Sequence, residues 1–165
     1  MSHASIRLLL HDVAKSLADK VQFGYGRKSE FNMIQGPTYP YIWLLPLTAG
    51  GSFRDNPNNL TRTKRWNVAI LFLGNDESDA NADHSAHVLD DMDVLLSRFT
   101  HTLDDWYLRE ADTFGTFTIE NDNQTPFYKD NADIQTGWLL TFQMVVSDDF
   151  DYCSPENVEL YAGNI

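Results

Sequence analysis

The stretch "TGWLLTFQMVV", residues 136–146, decides the fold class because its side chains alternate with a period of two. One alternate set is apolar throughout and comprises Trp138, Leu140, Phe142, Met144 and Val146. The other set includes the polar residues Thr141 and Gln143. Because successive side chains of a strand point to opposite faces, this pattern predicts a β-strand with one face in a core.

A second strand is predicted at "KRWNVAILFLG", residues 64–74, where both alternate sets are largely apolar. One set is Trp66, Val68, Ile70 and Phe72, and the other is Ala69, Leu71 and Leu73. This pattern favours a central strand covered on both faces. Two more strands are predicted within "GPTYPYIWLLPL" at 36–47 and "TFGTFTIE" at 113–120. The prolines predict that the former is short, bulged or at a sheet edge, since proline cannot donate to the ladder.

Two helices are predicted where apolar residues recur every three or four positions. The first has the stripe Ile6, Leu9, Leu10, Val13, Leu17 and Val21 and is expected to end near "FGYG", residues 23–26. The second runs from about Asp83 to Trp106 with the stripe Val88, Met92, Leu95, Leu96, Phe99 and Leu103. Parallel strands need crossover connections, and only one helix lies between strands, so the sheet should be mostly antiparallel.

These elements predict an α+β fold in which a mostly antiparallel sheet of four to five strands packs against two helices. Residues 1–152 are expected to form a single domain, because this length suffices for one core. Residues 153–165 are expected to be a polar C-terminal tail or arm. The segment 48–63, "TAGGSFRDNPNNLTRT", has no apolar period and is predicted to be a long hairpin loop.

The long loop and the residues just after it concentrate several of the few basic residues of the chain, and this makes them the candidate partner-binding segment. The candidate residues are Phe53, Arg54, Asp55, Arg62, Lys64 and Arg65, together with Tyr161 in the tail. Two interpretations are open. In the first, the bases balance local acids such as Asp55. In the second, the long hairpin loop docks onto an acidic partner, which includes another copy of this chain.

The net charge of −12, from 24 acids against 12 bases, disfavours electrostatic binding to nucleic acid. The same charge would suit a wall past which DNA slides, although it would also simply keep a protein soluble. Cys153 is the only cysteine, so neither an internal disulfide nor a cysteine metal cluster can form. The first twenty residues resemble neither a signal peptide nor a membrane span, and synthesis in the cytoplasm with no membrane partner is expected.

The segment "DANADHSAHVLD", residues 79–90, partly matches a calcium-binding loop through Asp79, Asn81, Asp83 and Asp90. Its sixth position is His84 instead of glycine, and its twelfth is aspartate instead of the bidentate glutamate. We therefore interpret it as a solvated loop in which Asp83 or Ser85 caps the second helix.

His84, His87 and Asp91 have helical spacing that could hold zinc or nickel. The trio lies on the polar side of the stripe, and His101 is several turns away, so surface histidines are the preferred interpretation. Neither a G-x-S-x-G elbow nor a phosphate-binding glycine loop occurs in the sequence. The sequence thus predicts no catalytic, cofactor-binding or metal-binding residue. We therefore expect that the protein is not an enzyme.

The order of these elements resembles the tail terminator proteins of long-tailed bacteriophages, also called tail completion proteins. The resemblance covers roughly residues 4–153 and rests on size, charge and three segments. These are "RWNVAILFLGND" at 65–76, "LDDMDVLLSRF" at 89–99 and "TGWLLTFQMVVSDDFDYC" at 136–153.

The resemblance implies a structural virion protein that forms a ring, usually hexameric, around the path of the DNA. Such a ring caps the tail tube, stops its polymerisation and joins it to the head connector. The implied partners are other copies of the chain, the tail tube protein and the connector protein, and the implied fold is an antiparallel sheet on two helices. Alternative functions are a head–tail stopper, another neck or tail protein, and a small monomeric ligand-binding domain.

Overall fold

A computed structural model describes residues 3–17, 20–53, 62–76, 82–109, 117–128 and 135–148. The helices in this part of the chain are α1 (His3–Leu17), α2 (Lys28–Phe31) and α3 (Ala82–Arg109). The strands are β1 (Gln22–Tyr25), β2 (Tyr41–Leu44), β3 (Thr48–Phe53), β4 (Arg62–Asn75), β5 (Phe117–Phe127) and β6 (Gln135–Asp148). The predicted α+β fold is confirmed.

The described strands form one six-stranded sheet in the order β1-β2-β4-β6-β5. Strand β3 pairs with β4 beyond the end of β2. The neighbouring strands are antiparallel except for β1 and β2. At the centre, β4 and β6 pair continuously from Arg62 opposite Asp148 to Asn75 opposite Gln135. The prediction of a mostly antiparallel sheet with a central β4 is therefore confirmed.

The sheet has more described strands than the predicted four to five because β1 and β3 form where the sequence indicates a helix end and a loop. Strand β1 pairs with β2 through Gly24 opposite Trp43. A Cβ on Gly24 would collide with the indole ring of Trp43, so this strand needs a glycine there. The third helix, α2, is a single turn.

Helices α1 and α3 cover one face of the sheet, and the main core lies between them and the strands. The α3 stripe is confirmed, since its six predicted apolar residues are all buried. Phe72 on β4 and Phe99 on α3 meet edge to face, with ring centroids 5.4 Å apart. The predicted apolar set of β6 faces the same core, where the Trp138 Nε1 donates to the Leu89 carbonyl at 3.0 Å.

The predicted long loop at 48–63 is wrong in its first part, which is a strand of a β-hairpin. Strands β3 and β4 pair from Thr48 opposite Asn67 to Phe53 opposite Thr63, so residues 48–53 are strand and not loop. Residues 54–61, which connect these two strands, lie outside the described part of the chain, as does the predicted tail at 153–165.

Candidate interaction surface

The sheet face opposite α1 and α3, here called the open face, is the candidate functional surface. Alternate residues of β4 and β6 reach it, because the helices bury the residues between them. Near α2 the open face is apolar, and Phe31, Trp43, Leu71 and Leu73 form a second, smaller buried cluster. The prediction that β4 is covered on both faces therefore holds for this end of the strand. At the other end, Asn67 is exposed and the prediction is wrong.

A row of hydrogen-bonded polar side chains, here called the amide ladder, crosses four strands of the open face. The Asn67 amide donates to Thr48 Oγ1 at 3.3 Å and accepts from the Gln143 amide at 3.1 Å. The Asn121 amide on β5 donates to Gln143 Oε1 at 3.0 Å. These mutual hydrogen bonds hold the side chains in one arrangement and leave an uncharged polar surface.

Next to the ladder, a cavity of about 250 Å³, here called the apolar groove, opens on the same face. Leu45, Leu71, Leu73 and Leu139 supply much of its lining, and Phe127 closes one side. Lys28, Thr125 and Gln135 are the polar residues of its lining. The volume lies slightly below the usual range for small-molecule pockets but suits one or two apolar side chains of a partner.

The aromatic residues beside α2 form a rigid wall near this groove. Phe31 meets both Tyr41 and Trp43 edge to face, with ring centroids 5.1 and 5.2 Å apart. The Trp43 Nε1 donates to the Gly26 carbonyl at 2.9 Å. Burial raises the pKa of the Tyr41 phenol above its ordinary value. The wall is neutral and fixed in position.

Charge is distributed unequally between the two sides of the protein. On the helix side, α3 exposes the aspartates Asp83, Asp90, Asp91, Asp93, Asp104 and Asp105. On the open face, the charged side chains of the described sheet strands are Arg65 and Glu120, which form an ion pair at 3.7 Å. The sheet surface is therefore nearly neutral although the chain carries −12 overall.

Among the predicted partner-binding residues, the structure describes the side chains of Lys64 and Arg65. They point to opposite faces of β4: Arg65 pairs with Glu120, and the Lys64 Nζ lies 4.8 Å from the Trp66 ring centroid. Phe53 and Arg62 end the two strands of the hairpin, but their side chains lie outside the described part, as do Arg54, Asp55 and Tyr161 entirely. The prediction that these seven residues bind a partner stays a prediction.

The sequence does not indicate a buried polar cluster at the end of β4. Asp76 is 1% exposed, and its Oδ2 accepts from Ser85 Oγ and from Thr136 Oγ1, each at 2.6 Å. His84 Nε2 lies 3.9 Å from the other carboxylate oxygen. Because Ser85 donates to the carboxylate and is itself buried, the cluster joins the start of α3 to β4 and β6 and does not present a nucleophile.

The cluster could have been suspected from the position of Asp76 between a strong strand and a helix start, where carboxylates accept hydrogen bonds. Asp83 and Asp90 of the calcium-like segment are residues of α3, so this part of the segment is helix and not loop. Asp79 and Asn81 lie outside the described residues. Within the described residues, no group of three or more acidic, histidine or cysteine side chains is placed to hold a metal ion.

Scans against protein-family models and against curated proteins give no significant match to this chain. None of the helices in the described ranges combines the length and the apolarity needed to cross a membrane.

Proposed function

We propose that this protein is a tail terminator of a long-tailed bacteriophage. In this proposal it is a structural virion protein, assembled in the host cytoplasm, that forms a ring of about six copies. The ring caps the tail tube, stops its polymerisation and joins it to the head connector, while DNA passes through it. The proposal rests on the sequence resemblance and on a mostly antiparallel sheet packed against two long helices, which is close to the fold that the resemblance implies.

The separation of charge between the two sides of the protein is the observation that favours this function. A ring around DNA needs one surface that repels phosphate, so that DNA passes without sticking, and other surfaces that bind protein. The exposed aspartates of α3 supply the first kind of surface. The open face, with the amide ladder and the apolar groove, has the mixture of apolar and uncharged polar groups typical of protein interfaces.

Specific roles follow for the two surfaces within this proposal. The open face would bind the tail tube protein or the connector protein, with an apolar side chain of the partner in the groove. The acidic side of α3 would face the DNA path. A protein that bound DNA through contacts to phosphates would need the reverse distribution of charge.

The proposal is tested by measuring the mass of the purified protein by light scattering over a range of concentrations, together with negative-stain imaging. A closed ring, formed alone or on added tail tubes, is expected, with tubes that no longer elongate once capped. A protein that remains monomeric in the presence of tubes would contradict the proposal. A ring that binds connectors but never tubes would indicate the alternative of a head–tail stopper.

The apolar groove also favours a second candidate, a small monomeric domain that binds an apolar ligand. The groove has Lys28 at its edge, which would suit a carboxylate on such a ligand. Medium-chain fatty acids are suitable probes, and binding would be followed by a thermal shift in a Leu139→Trp variant and in the unaltered protein. A shift that the substitution abolishes, in a protein that never assembles, would favour this candidate over the ring.

A further inference from the structure

The two edges of the sheet next to the hairpin differ in how well they are protected against pairing with another strand. Strand β5 has a bulge between Glu120 and Asn123, with Asn121 at φ 55°, and Pro126 follows near its end. Bulges, charges and prolines are the features that keep an edge strand from pairing indiscriminately. Strand β5 is thus an edge strand that is protected against indiscriminate pairing with other strands.

Strand β3 shares one of these features, a register shift between Ala49 and Gly51 with Gly51 at φ 110°, but lacks the other two. Residues Thr48–Phe53 contain neither a charged residue nor a proline, and residues 48–51 are all exposed. Among the described residues, β3 pairs with β4 alone. Its other edge therefore presents backbone donors and acceptors that can pair with an added strand.

Residues 48–52 of β3 are small, and this leaves Lys64 of β4 within reach of such an added strand. Ser52 lies opposite Lys64 in the register, and a Cβ on Gly51 would meet no atom within 4 Å. Strands are spaced about 4.8 Å apart, so an added strand would lie about 10 Å from β4, which a lysine and a carboxylate can bridge together. A strand that carries acids would fit this position.

Strand β5 of a second copy has the required charge. Asp122 is exposed on it, and Lys64 lies on the strand next to β3, whereas Arg65 and Glu120 already pair with each other within one copy. Pairing of β3 with β3, or of β5 with β5, would bring like charges together, which disfavours both. Between the β3 and β5 edges, charge thus favours pairing of β3 with β5 over pairing of either strand with its own kind.

We propose that β3 of one copy pairs with β5 of the next copy, so that the sheets of neighbouring copies continue into one another. This inference rests on the proposed ring and identifies its subunit contact. The contact is head to tail, because each copy offers two different surfaces, and a repeated head-to-tail contact that closes gives a ring.

Two charge reversals test this contact. Lys64→Glu makes the β3–β4 hairpin acidic and Asp122→Lys makes β5 basic, while the ion pair of Arg65 with Glu120 inside one copy is left intact. Each variant alone is expected to associate at least about tenfold more weakly than the unaltered protein, because like charges then meet at every contact. An equimolar mixture is expected to recover assembly, since the acidic hairpin of one variant fits the basic β5 of the other in an alternating ring.

Matched controls are Lys20→Glu and Asp91→Lys, which make the same charge changes at exposed positions away from both edges. They should assemble like the unaltered protein, and thermal melting should show all four variants folded. Association of the unaltered protein should weaken between about 0.05 M and about 0.5 M salt, since exposed charges are screened.

The possible failures separate this inference from the proposed function. If the β3–β4 hairpins of two copies contacted each other instead, the Asp122→Lys variant would assemble normally. This result would overturn the β3–β5 contact. Folded variants that do not recover on mixing would also overturn it. Rings that form equally well from every variant would overturn the contact but leave the ring intact. If the unaltered protein never associates, alone or on tail tubes, both proposals are wrong.

Discussion

The two faces of the sheet are made by the same strands, yet they have different compositions and different coverings. On β4 and β6, one alternate set of residues is buried under α1 and α3, while the other set carries the amide ladder and the groove. The buried set therefore contributes most of the folding free energy, and the set on the open face determines which groups the surface offers to a partner. Substitutions at neighbouring positions of one strand should have effects of different kinds.

The largest expected effect is on the helix-covered face. Phe72→Ala removes a fully buried ring that contacts Phe99 on α3, and it should lower the free energy of unfolding by about 3–5 kcal/mol. The matched open-face variant is Leu139→Ala, whose side chain is only half-buried, and it should cost less than about 2 kcal/mol. Urea unfolding followed by tryptophan fluorescence measures both. Equal losses would show that the open face is as important for stability as the core.

The next effect concerns the buried cluster at the end of β4. Asp76→Ala removes the acceptor of the Ser85 and Thr136 hydroxyl groups, which are buried, and should cost about 1–3 kcal/mol. The control is Asp91→Ala on the exposed side of α3, which should change stability by no more than about 0.5 kcal/mol. A loss that is equally small for both variants would mean that the cluster does not fasten α3 to the sheet.

The helix-covered face could be predicted from the sequence because burial imposes a period. The α3 stripe and the alternation in β6 are patterns that a core requires, and both are confirmed. The short strands β1 and β3 could not be predicted, since four to six residues containing glycine carry no period, and their pairing depends on distant partners.

The open face was also beyond prediction from sequence, for a related reason. Thr48, Asn67, Asn121 and Gln143 are ordinary polar residues in a sequence, and only the register of four strands brings them into a row. Lys64 and Arg65 were predicted as partner-binding residues from the scarcity of bases alone. That they point to opposite faces follows from the strand predicted at residues 64–74, which the structure confirms as part of β4.

A smaller effect on stability is expected from the amide ladder. Gln143→Leu removes the hydrogen bonds to both Asn67 and Asn121 but keeps the side-chain volume, and should change stability by no more than about 1 kcal/mol, since both bonds are exposed to water. If the protein is the proposed tail terminator, the same variant should cap tail tubes less well, because a polar group of the proposed partner contact is lost. The control is Ser97→Ala at an exposed position of α3, on the other side of the sheet, and it should leave capping unchanged. Full capping by Gln143→Leu would exclude the ladder from the contact.

The smallest effect is expected from the ion pair on the open face. Arg65 and Glu120 are each about 40% exposed and 3.7 Å apart, so a double-mutant cycle with Arg65→Ala and Glu120→Ala should give a coupling of about 0.2–1 kcal/mol. Salt should reduce the coupling further, because the charges are partly in water. A coupling energy well above this range that does not change with salt concentration would mean that the pair is shielded from solvent. A contact between copies would provide such shielding. Repeating the cycle at protein concentrations below and above assembly separates the two cases, since only a shielded contact makes the coupling rise with concentration.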